Sequence, residues 1–373
     1  MTSDDSTVKQ GTAINPEVAG MAAPHPEVAR ARTPAADFYM KPEQLAREIA
    51  TVFRRSWQYV GHTAELVHPG DYFTTHSAHE PLVFVNDNGV IRGFFNVCRH
   101  RAGPLALGCG NAPRLVCRYH GWTYSLQGQL LRAPEMEGAQ QFEPAKIHLL
   151  PVAVHVVGPM IFAALDASTP AFDSFHPGLM DEVAPVQLAR MRHVMRRDYP
   201  VAANWKLYVD NFLEGYHLPQ LHPALSQEID YRSYVTELAT HRVLQHAPVR
   251  QATGSLYTTV AGEPAARYYW LFPNLMLSFY ERQLQVNVVI PESPERTVVR
   301  FDWFALDAGP RHSELERFRQ LVEFSDVVQA EDAAMCHVLQ GNVHSSAYRS
   351  GPYCPAREAG VHLFHRLMLG GVP

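Results

Sequence analysis

The chain has 373 residues, and its 32 Lys and Arg residues against 37 Asp and Glu residues give a formal net charge of −5 at pH 7. This near balance, without a block of like charges, argues against a nucleic-acid binder or a membrane-surface protein and favours small-molecule chemistry. The length gives room for two domains, each with its own core. Five cysteines are too few for a secreted disulfide framework, so we expect a cytoplasmic protein. No apolar run approaches the roughly 18 residues of a membrane span.

The first part of the chain combines an arm, a helix and a β-rich stretch. Residues 1–35 lack the basic and apolar regions of a signal peptide, and we interpret them as a mobile N-terminal arm. From Pro42, apolar residues at helical spacing predict an amphipathic helix. Between 70 and 165, two apolar runs flank Asp87-Asn88-Gly89, which is a strong hairpin signal. Residues 36–165 are therefore predicted to form a small antiparallel β domain with a leading helix.

The second part of the chain, residues 166–373, begins at a turn-rich hinge. Helical periodicity and runs of β-branched residues alternate along it. They predict a helix at about 203–217, strands at about 285–289 and 297–301 joined by a turn at 291–295, and a long helix at about 313–340. Such a mixture indicates an α+β domain in which a curved antiparallel sheet wraps a helix.

One segment of the β-rich part pairs cysteine with histidine twice. Cys98 and His100 are followed, after sixteen intervening residues, by Cys117 and His120. Two thiolates on one iron and two imidazoles on the other form the ligand set of one class of [2Fe–2S] cluster. Neutral imidazoles leave less negative charge on the cluster, so it accepts an electron at a higher potential than a four-cysteine cluster does. The spacing therefore predicts an electron-carrying centre.

A tetrahedral zinc site with two cysteines and two histidines is the alternative interpretation of this segment. Zinc fits less well because each loop mixes the two ligand types instead of pairing cysteine with cysteine. Gly103 and Gly121 would let backbone amides approach bridging sulfides. Trp122 and Tyr124 are placed to cover the site.

A second set of candidate ligands lies in the following domain. On a helix, Asp210, Glu214 and His217 would share one face of an otherwise apolar element. His222 is five residues beyond His217, and Pro219 would end the helix and let the chain return His222 to the same place. Two histidines and one carboxylate on one side of Fe(II) leave positions open for O₂.

The carboxylate of such a site must come from elsewhere in the chain. We choose Asp332, because its helical neighbours are largely apolar and an inward direction is expected. On spacing alone, a solvated helix carboxylate is the alternative for Asp332, and a core histidine is the alternative for His217 and His222. The preferred interpretation is a mononuclear iron site formed by these three residues.

The motifs also resemble a known family. Residues 98–130 look like the Rieske domain of ring-hydroxylating oxygenase alpha subunits, and residues 204–222 are similar to the catalytic motif of the same family. Residues 331–341 are similar to its C-terminal ligand helix, so the likeness extends over about 40–370. Many members have aspartate where this chain has Glu214. This glutamate and the segment 270–274 look more like the choline, carnitine and stachydrine monooxygenase subgroup.

The resemblance implies an N-terminal antiparallel β Rieske domain and a C-terminal helix-grip catalytic domain with an antiparallel sheet. It assigns Cys98, His100, Cys117 and His120 to the [2Fe–2S] cluster, His217, His222 and Asp332 to the mononuclear Fe(II), and Glu214, Asp210 and Asn211 to catalysis. Within one subunit of such a fold the two centres lie too far apart for rapid electron transfer. A head-to-tail homotrimer would solve this, with Glu214 linking a cluster histidine, His120, to His217.

The implied activity is that of a terminal oxygenase. Electrons would come from an NAD(P)H-dependent flavin and iron–sulfur reductase, directly or through a ferredoxin, and O₂ would be used to hydroxylate or oxidatively demethylate a small organic substrate. A quaternary-ammonium or N-methyl substrate is favoured, and an aromatic-ring dioxygenase is the alternative. A non-catalytic Rieske electron-transfer protein is the alternative from another class. The sequence does not determine the substrate, the number of oxygen atoms inserted, the identity of the reductase or the presence of a small β subunit.

Overall fold

The structure is a computed structural model that describes residues 21–250, 265–280, 282–306 and 312–370. Within these ranges, two large antiparallel sheets each contain seven strands, a small sheet contains three, and helices pack around them. None of the helices in the described ranges combines the length and apolar character that crossing a bilayer requires.

The N-terminal half consists mainly of β-strands. They are β1 Gln58–His62, β2 Asp71–Ser77, β3 Glu80–Asp87, β4 Val90–Phe95, β5 Cys109–Asn111, β6 Leu115–Val116, β7 Thr123–Tyr124, β8 Leu130–Arg132, β9 Pro151–Val157 and β10 Met160–Ala164. The larger sheet has the order β1-β10-β9-β4-β3-β2-β5, and the smaller sheet has the order β6-β7-β8. The predicted antiparallel β domain is therefore present.

The C-terminal half has one long antiparallel sheet. Its strands are β11 Met191–Val201, β12 Val235–Ala239, β13 Arg242–Pro248, β14 Ala265–Leu271, β15 Leu275–Tyr280, β16 Gln283–Ser293 and β17 Arg296–Leu306. Their order is β11-β17-β16-β15-β14-β13-β12. The turn expected at 291–295 is shorter than predicted, because β16 continues through Pro291 to Ser293 with an irregular register there.

Helices α5, α8 and α9 of the following set contact strands of this sheet. The helices are α1 Asp37–Met40, α2 Pro42–Thr51, α3 Phe172–Phe175, α4 Leu179–Val183, α5 Trp205–Phe212, α6 Leu218–Leu221, α7 Leu225–Glu228, α8 His312–Val343 and α9 Ala359–Gly370. Helix α5 contacts α8, α9 and strand β16. The α+β class and the long helix near 313–340 are confirmed.

The hairpin between β3 and β4 matches the sequence signal closely. Asp87 pairs with Val90, and the two residues between them have positive φ, 53° at Asn88 and 92° at Gly89. Two-residue hairpin turns of this kind need positive φ at both central positions, which Asn and Gly adopt at low cost. The turn sets the register of the sheet that supports the Cys/His loops.

The leading helix packs into a core that both halves of the chain share. Helix α2 begins at Pro42 as expected, and its Leu45 lies with neighbouring Phe38 and Phe53 in a hydrophobic core formed by residues of both halves. The Phe53 and Trp205 rings, for example, have centroids 5.0 Å apart. The domain boundaries at 36 and 166 remain predictions.

The N-terminal arm is described only in part. Residues 1–20 of the predicted arm lie outside the described residues. Farther along, Arg32 pairs with Pro352, and the Thr33 amide donates to the Gly351 carbonyl at 2.9 Å. The described end of the arm is thus paired with the C-terminal region of the chain.

A buried ion pair joins α2 to helix α5 of the C-terminal half. The Lys206 ammonium lies 2.8 Å from the Glu48 carboxylate, and the two side chains are 1% and 0% exposed. Trp205 Nε1 donates to the same carboxylate at 2.8 Å. Burial lowers the pKa of Lys206, and the charge of Glu48 opposes that effect.

We expect Glu48→Ala to lower the free energy of unfolding by about 3–5 kcal/mol, because it leaves the Lys206 ammonium buried without its partner. Chemical denaturation followed by circular dichroism measures the change. Glu43→Ala, on the exposed side of α2, is the matched control and should change stability little. A loss below about 1 kcal/mol for Glu48→Ala would show that water or another side chain compensates for the missing carboxylate.

Asp302 connects the two halves of the chain. This fully buried carboxylate accepts a hydrogen bond from Tyr59 Oη of β1 at 2.7 Å, and it is bonded by Arg196 and by His193 Nε2, both on β11. Because a buried charge is tolerated only when it is paired and hydrogen-bonded, these contacts hold β1 against the catalytic sheet.

Candidate metal centres

The first candidate centre lies on two loops that fold back on themselves. In the first, the Cys98 amide donates to the Gly103 carbonyl at 2.9 Å; in the second, the Cys117 amide donates to the Trp122 carbonyl at 2.8 Å. Both thiols are buried, whereas His100 and His120 are exposed, with ring centroids 4.8 Å apart. The four predicted ligands are thus brought to one end of the domain, with the imidazoles outermost.

The surroundings of these loops fit an inorganic cluster. A Cβ at Gly103 would lie only 2.7 Å from Cys117 Sγ, so only glycine leaves room beside the sulfur. Tyr124 Oη lies 3.3 Å from Cys98 Sγ, and the Trp122 ring stacks on His100 at 4.9 Å between centroids. Hydrogen bonds to sulfur and restricted solvent access are the features that tune the potential of such clusters.

The spacing of the four side chains also bears on the zinc alternative. In the described parts of the chain, the groups whose possible ligand atoms all approach within 4.8 Å of one another are His62, His193 and Asp302, and His217, His222 and Asp332. No three of the Cys/His loop ligands converge in this way. A single tetrahedral zinc ion requires all four ligand atoms to converge on one point. In a [2Fe–2S] cluster the thiolates bind one iron and the imidazoles bind the other, so the two pairs lie apart.

The second candidate centre is built where α5 ends. The predicted helix at 203–217 stops at Phe212, so Glu214 and His217 do not share a helix face as expected. The Glu214 carboxylate instead accepts from the amides of Tyr216 and His217, which form a turn. Pro219 lies at the start of the next short helix, α6, rather than ending the first one, and His222 follows directly after α6.

The three predicted iron ligands lie close together in the structure, although the first and the last are 115 positions apart in the sequence. His222 Nε2 lies 2.9 Å from Asp332 Oδ1, and His217 Nε2 lies 4.0 Å from the same oxygen. The His222 side chain is 1% exposed, whereas His217 and Asp332 are 19% and 14% exposed. The atoms that face one another are therefore two imidazole Nε2 atoms and one carboxylate oxygen, the donor set of a facial triad.

Neighbouring carboxylates fix the orientation of both imidazoles. His217 Nδ1 lies 2.6 Å from Glu214 Oε1, and His222 Nδ1 lies 2.6 Å from Glu331 Oε2. A carboxylate at Nδ1 places the proton there and leaves Nε2 free as a ligand atom. Asn211 Nδ2 donates to Asp332 Oδ1 at 2.6 Å and positions the third ligand. Each member of the triad thus has its own supporting contact.

The local charge favours a cation. Burial lowers the pKa of His222, but its hydrogen bonds to Asp332 and Glu331 outweigh burial, and the pKa is raised from its usual value. Two carboxylates beside a buried imidazole attract positive charge, which a divalent metal ion supplies. These residues therefore fit the mononuclear iron that the sequence motif predicts.

Glu331 was not assigned a role from the sequence, although it precedes Asp332 directly. We expect Glu331→Ala to weaken iron binding by about 10–100-fold, because the His222 ring loses the contact that holds its orientation. Competition with a chelator measures iron affinity. Glu323→Ala, on an exposed part of the same helix α8, is the control. Unchanged iron affinity in Glu331→Ala would mean that the ring is held by its packing alone.

Asp210 does not join the triad. Its carboxylate accepts from Tyr39 Oη at 2.8 Å and lies 2.9 Å from His365 Nε2, while Tyr353 Oη lies 2.8 Å from His365 Nδ1. Tyr39, Asp210 and His365 border a second cavity, to which Glu214 also contributes. A direct catalytic role for Asp210 thus remains a prediction that this geometry does not support.

The triad opens into a cavity of about 120 Å³. Asn287 of β16 lines this cavity. On the neighbouring strands and the turn between them, Phe272, Met276 and Phe279 are buried in the hydrophobic core, and Asn274 donates to the Val289 carbonyl at 2.8 Å.

The His62, His193 and Asp302 group is not a convincing metal site. The His62 and His193 rings stack with centroids 3.8 Å apart, but both carboxylate oxygens of Asp302 are already bonded by Arg196. A metal ion would have to displace this guanidinium, and the positive charge of the guanidinium would then repel the ion at close range. We therefore interpret the group as part of the connection between the two halves.

Comparison with known proteins agrees with both centres. A model of the Rieske [2Fe-2S] domain matches residues 56–143, and a model of the ring hydroxylating alpha subunit (catalytic domain) matches residues 188–369. Choline monooxygenase of Arabidopsis thaliana is 33% identical over 91% of this chain and 82% of its own length. The carnitine monooxygenase oxygenase subunit of Escherichia coli K12 is 29% identical, covering 89% of this chain and 92% of the relative.

Solved structures show the same fold. A quaternary ammonium Rieske monooxygenase studied for carnitine oxidation by gut microbiota superposes with a TM-score of 0.81 at 24% identity, covering 95% of this chain and 96% of that one. Naphthalene 1,2-dioxygenase from Rhodococcus sp. superposes with a TM-score of 0.76 at 20% identity, covering 91% of this chain and 95% of that one. The fold is shared by enzymes with different substrates, so it does not identify the substrate.

A Rieske domain joined to a catalytic domain with a triad of metal ligands defines a Rieske non-haem iron oxygenase. The chain belongs to the family of ring-hydroxylating oxygenase alpha subunits. It is therefore an oxidoreductase that uses O₂ and electrons from a reductase partner, with a [2Fe–2S] cluster and a mononuclear iron as cofactors. The predicted family, fold class and cofactors are confirmed. The individual ligand and catalytic residues remain predictions, now supported by geometry.

Proposed function

We propose that this oxygenase hydroxylates or oxidatively demethylates a small quaternary-ammonium or N-methyl compound. The observation that carries the proposal is the cavity beside the triad, where aromatic rings (Tyr208, Phe212, Tyr234, Tyr268, Phe301, Trp303 and Phe324) form much of the wall. Aromatic faces attract a quaternary ammonium group through their quadrupoles. The names of the relatives, which include choline, glycine betaine and carnitine monooxygenases, support the same class of substrate.

In the proposed reaction, substrate C–H, O₂, two electrons and two protons give C–OH and water. Cys98, His100, Cys117 and His120 would hold the cluster, and His217, His222 and Asp332 would hold the iron. When bound, the cluster passes electrons singly and the iron activates O₂. The protein orients the donor atoms through Glu214, Glu331 and Asn211, and the apolar side chains that line the cavity would limit the access of water to the reacting carbon.

We also propose a cytoplasmic homotrimer that takes electrons from an NAD(P)H-dependent flavin and iron–sulfur reductase, directly or through a ferredoxin. All five cysteines are free, as a reducing compartment requires. His120 is exposed on the N-terminal β domain, and Glu214 borders a cavity that opens to solvent, so both are accessible to a second copy. A structural relative is described with inter-subunit electron transfer.

Coupled turnover with a surrogate reductase tests the substrate class. Choline, carnitine and glycine betaine should be compared with naphthalene and benzoate, and NADH oxidation, O₂ uptake and product should be measured together. We expect at least one quaternary ammonium compound to give product matched to the O₂ consumed. Coupled product from the aromatic compounds alone would contradict the proposal and favour the ring-dioxygenase alternative.

A further inference from the structure

Six side-chain amides are among the polar groups that line the triad cavity. They are Asn211, Gln245, Gln283, Gln285, Asn287 and Gln329. Some are fully engaged with the protein: Gln285 accepts from Trp303 Nε1 at 3.2 Å and Ser325 Oγ at 3.0 Å, and donates to Asn287 at 3.0 Å. Both polar atoms of the Gln285 side chain are therefore already bonded within the protein, which leaves this amide little capacity for a ligand.

Gln245 and Gln329 differ from these amides because each has one unsatisfied atom. Gln245 Nε2 donates to the Phe212 carbonyl at 2.7 Å, but its Oε1 has no hydrogen-bond partner. Gln329 Oε1 accepts from Tyr208 Oη, but its Nε2 has no partner. The two residues are only 1% and 3% exposed. Unsatisfied buried polar atoms are rare and costly, so a ligand that bonds to them is favoured.

The charged residues that line the cavity limit which charged groups the ligand can carry. Among the described residues that line it, Glu214 and Asp332 carry the charged side chains of the metal site, and no Lys or Arg is present. A carboxylate on the substrate would be buried here without a cationic partner and near two acidic groups, which is strongly unfavourable.

We infer that the site selects a quaternary ammonium substrate whose other end carries an uncharged hydroxyl group, and discriminates against one that ends in a carboxylate. A hydroxyl both donates and accepts, so it suits the free Gln245 Oε1 and the free Gln329 Nε2. In this assignment the ammonium group contacts aromatic rings of the wall, and the two amides bind the hydroxyl group. This inference rests on the proposed function, and it narrows the substrate class within it.

Equilibrium binding tests the inference without turnover. Choline, ethyltrimethylammonium and glycine betaine are titrated calorimetrically into the anaerobic, metal-loaded enzyme. Choline and ethyltrimethylammonium differ by the hydroxyl, and we expect choline to bind about tenfold more tightly, the effect of one or two hydrogen bonds. Glycine betaine should bind more weakly than ethyltrimethylammonium.

The possible results separate this inference from the proposed function. Glycine betaine binding at least as tightly as choline would overturn the inference while leaving the quaternary-ammonium proposal intact. Equal binding of choline and ethyltrimethylammonium would also overturn it. If none of the three compounds binds and the aromatic substrates are turned over, both statements fail.

Two variants test whether the amides of Gln245 and Gln329 cause the preference for choline over ethyltrimethylammonium. Gln245→Leu and Gln329→Leu should each remove most of the advantage of choline over ethyltrimethylammonium and leave the affinity for ethyltrimethylammonium within about twofold. Gln320→Leu, at an exposed position of α8, is the control. The visible spectrum of the cluster reports whether each variant is folded. Retained preference for choline in both folded variants would contradict the assignment, and the wild-type ranking remains decisive if neither variant folds.

Discussion

His222→Ala should abolish coupled product formation, lowering the turnover rate by more than about 1,000-fold, while the visible spectrum of the [2Fe–2S] cluster is unchanged. The reason is geometric: His222 Nε2 lies 2.9 Å from Asp332 and is the most buried donor of the triad, and its loss leaves two donors for the mononuclear iron. Iron content per chain and single-turnover product measure the two consequences separately.

The control for this variant is His246→Ala. His246 lies on β13 and pairs with Glu237 at 2.9 Å on the exposed side of the sheet, away from the triad cavity. It should retain iron content and activity. If His222→Ala kept its full iron content and its turnover, then His217 and Asp332 would have to recruit another ligand, and the assignment of the site would be wrong.

Glu214→Gln should retain both metal centres and lose product formation by at least about 100-fold. The glutamate lies 2.6 Å from His217 Nδ1, and we propose that it also reaches the His120 imidazole of a neighbouring subunit. Glutamine preserves the size of the side chain but removes the charge that holds two N–H donors at once. Electron transfer from cluster to iron should therefore slow, while iron affinity changes little.

Stopped-flow absorbance of the reduced cluster after mixing with O₂ and substrate measures this transfer directly. The rate of cluster oxidation should fall in Glu214→Gln and stay normal in Glu237→Gln, whose side chain is exposed on β12. A merely structural role would alter metal content or stability instead of this rate. Unimpaired cluster oxidation and product formation in Glu214→Gln would refute the proposed link.

The sequence alone predicted the features that depend on residues close together in the chain, namely the cluster loops and one hairpin. Cys98, His100, Cys117 and His120 could be found because cluster ligands must lie on tight loops at short spacing. The β3–β4 hairpin could be predicted because Asn88 and Gly89 suit the positive φ values that its turn requires.

The sequence could not predict where tertiary contacts override the local preference for a helix. Helical periodicity extended the predicted helix to His217, but α5 stops at Phe212 because the Glu214 carboxylate bonds the amides that would continue it. Gly215 also packs against the Tyr234 ring, where an added Cβ would lie 3.0 Å from it. Side chains in turns of this kind compete with the helix for backbone hydrogen bonds.

The supporting residues of the site were also beyond local prediction. Glu331 meets His222 across 109 residues, and Tyr39 meets His365 across 326. Gln245 and Gln329 come from a strand and a helix that no spacing rule connects. Their roles depend on how α8 and the strands of the catalytic sheet pack together, which is a property of the whole domain.

The central claim is that one polypeptide carries two different iron centres. Iron and acid-labile sulfide should be measured on anaerobically prepared protein, together with the electron paramagnetic resonance of the reduced cluster. The account predicts about three irons and about two sulfides per chain, with the signal of a cluster ligated by two histidines. Absence of sulfide with well under three irons per chain, or zinc in place of iron, would contradict it.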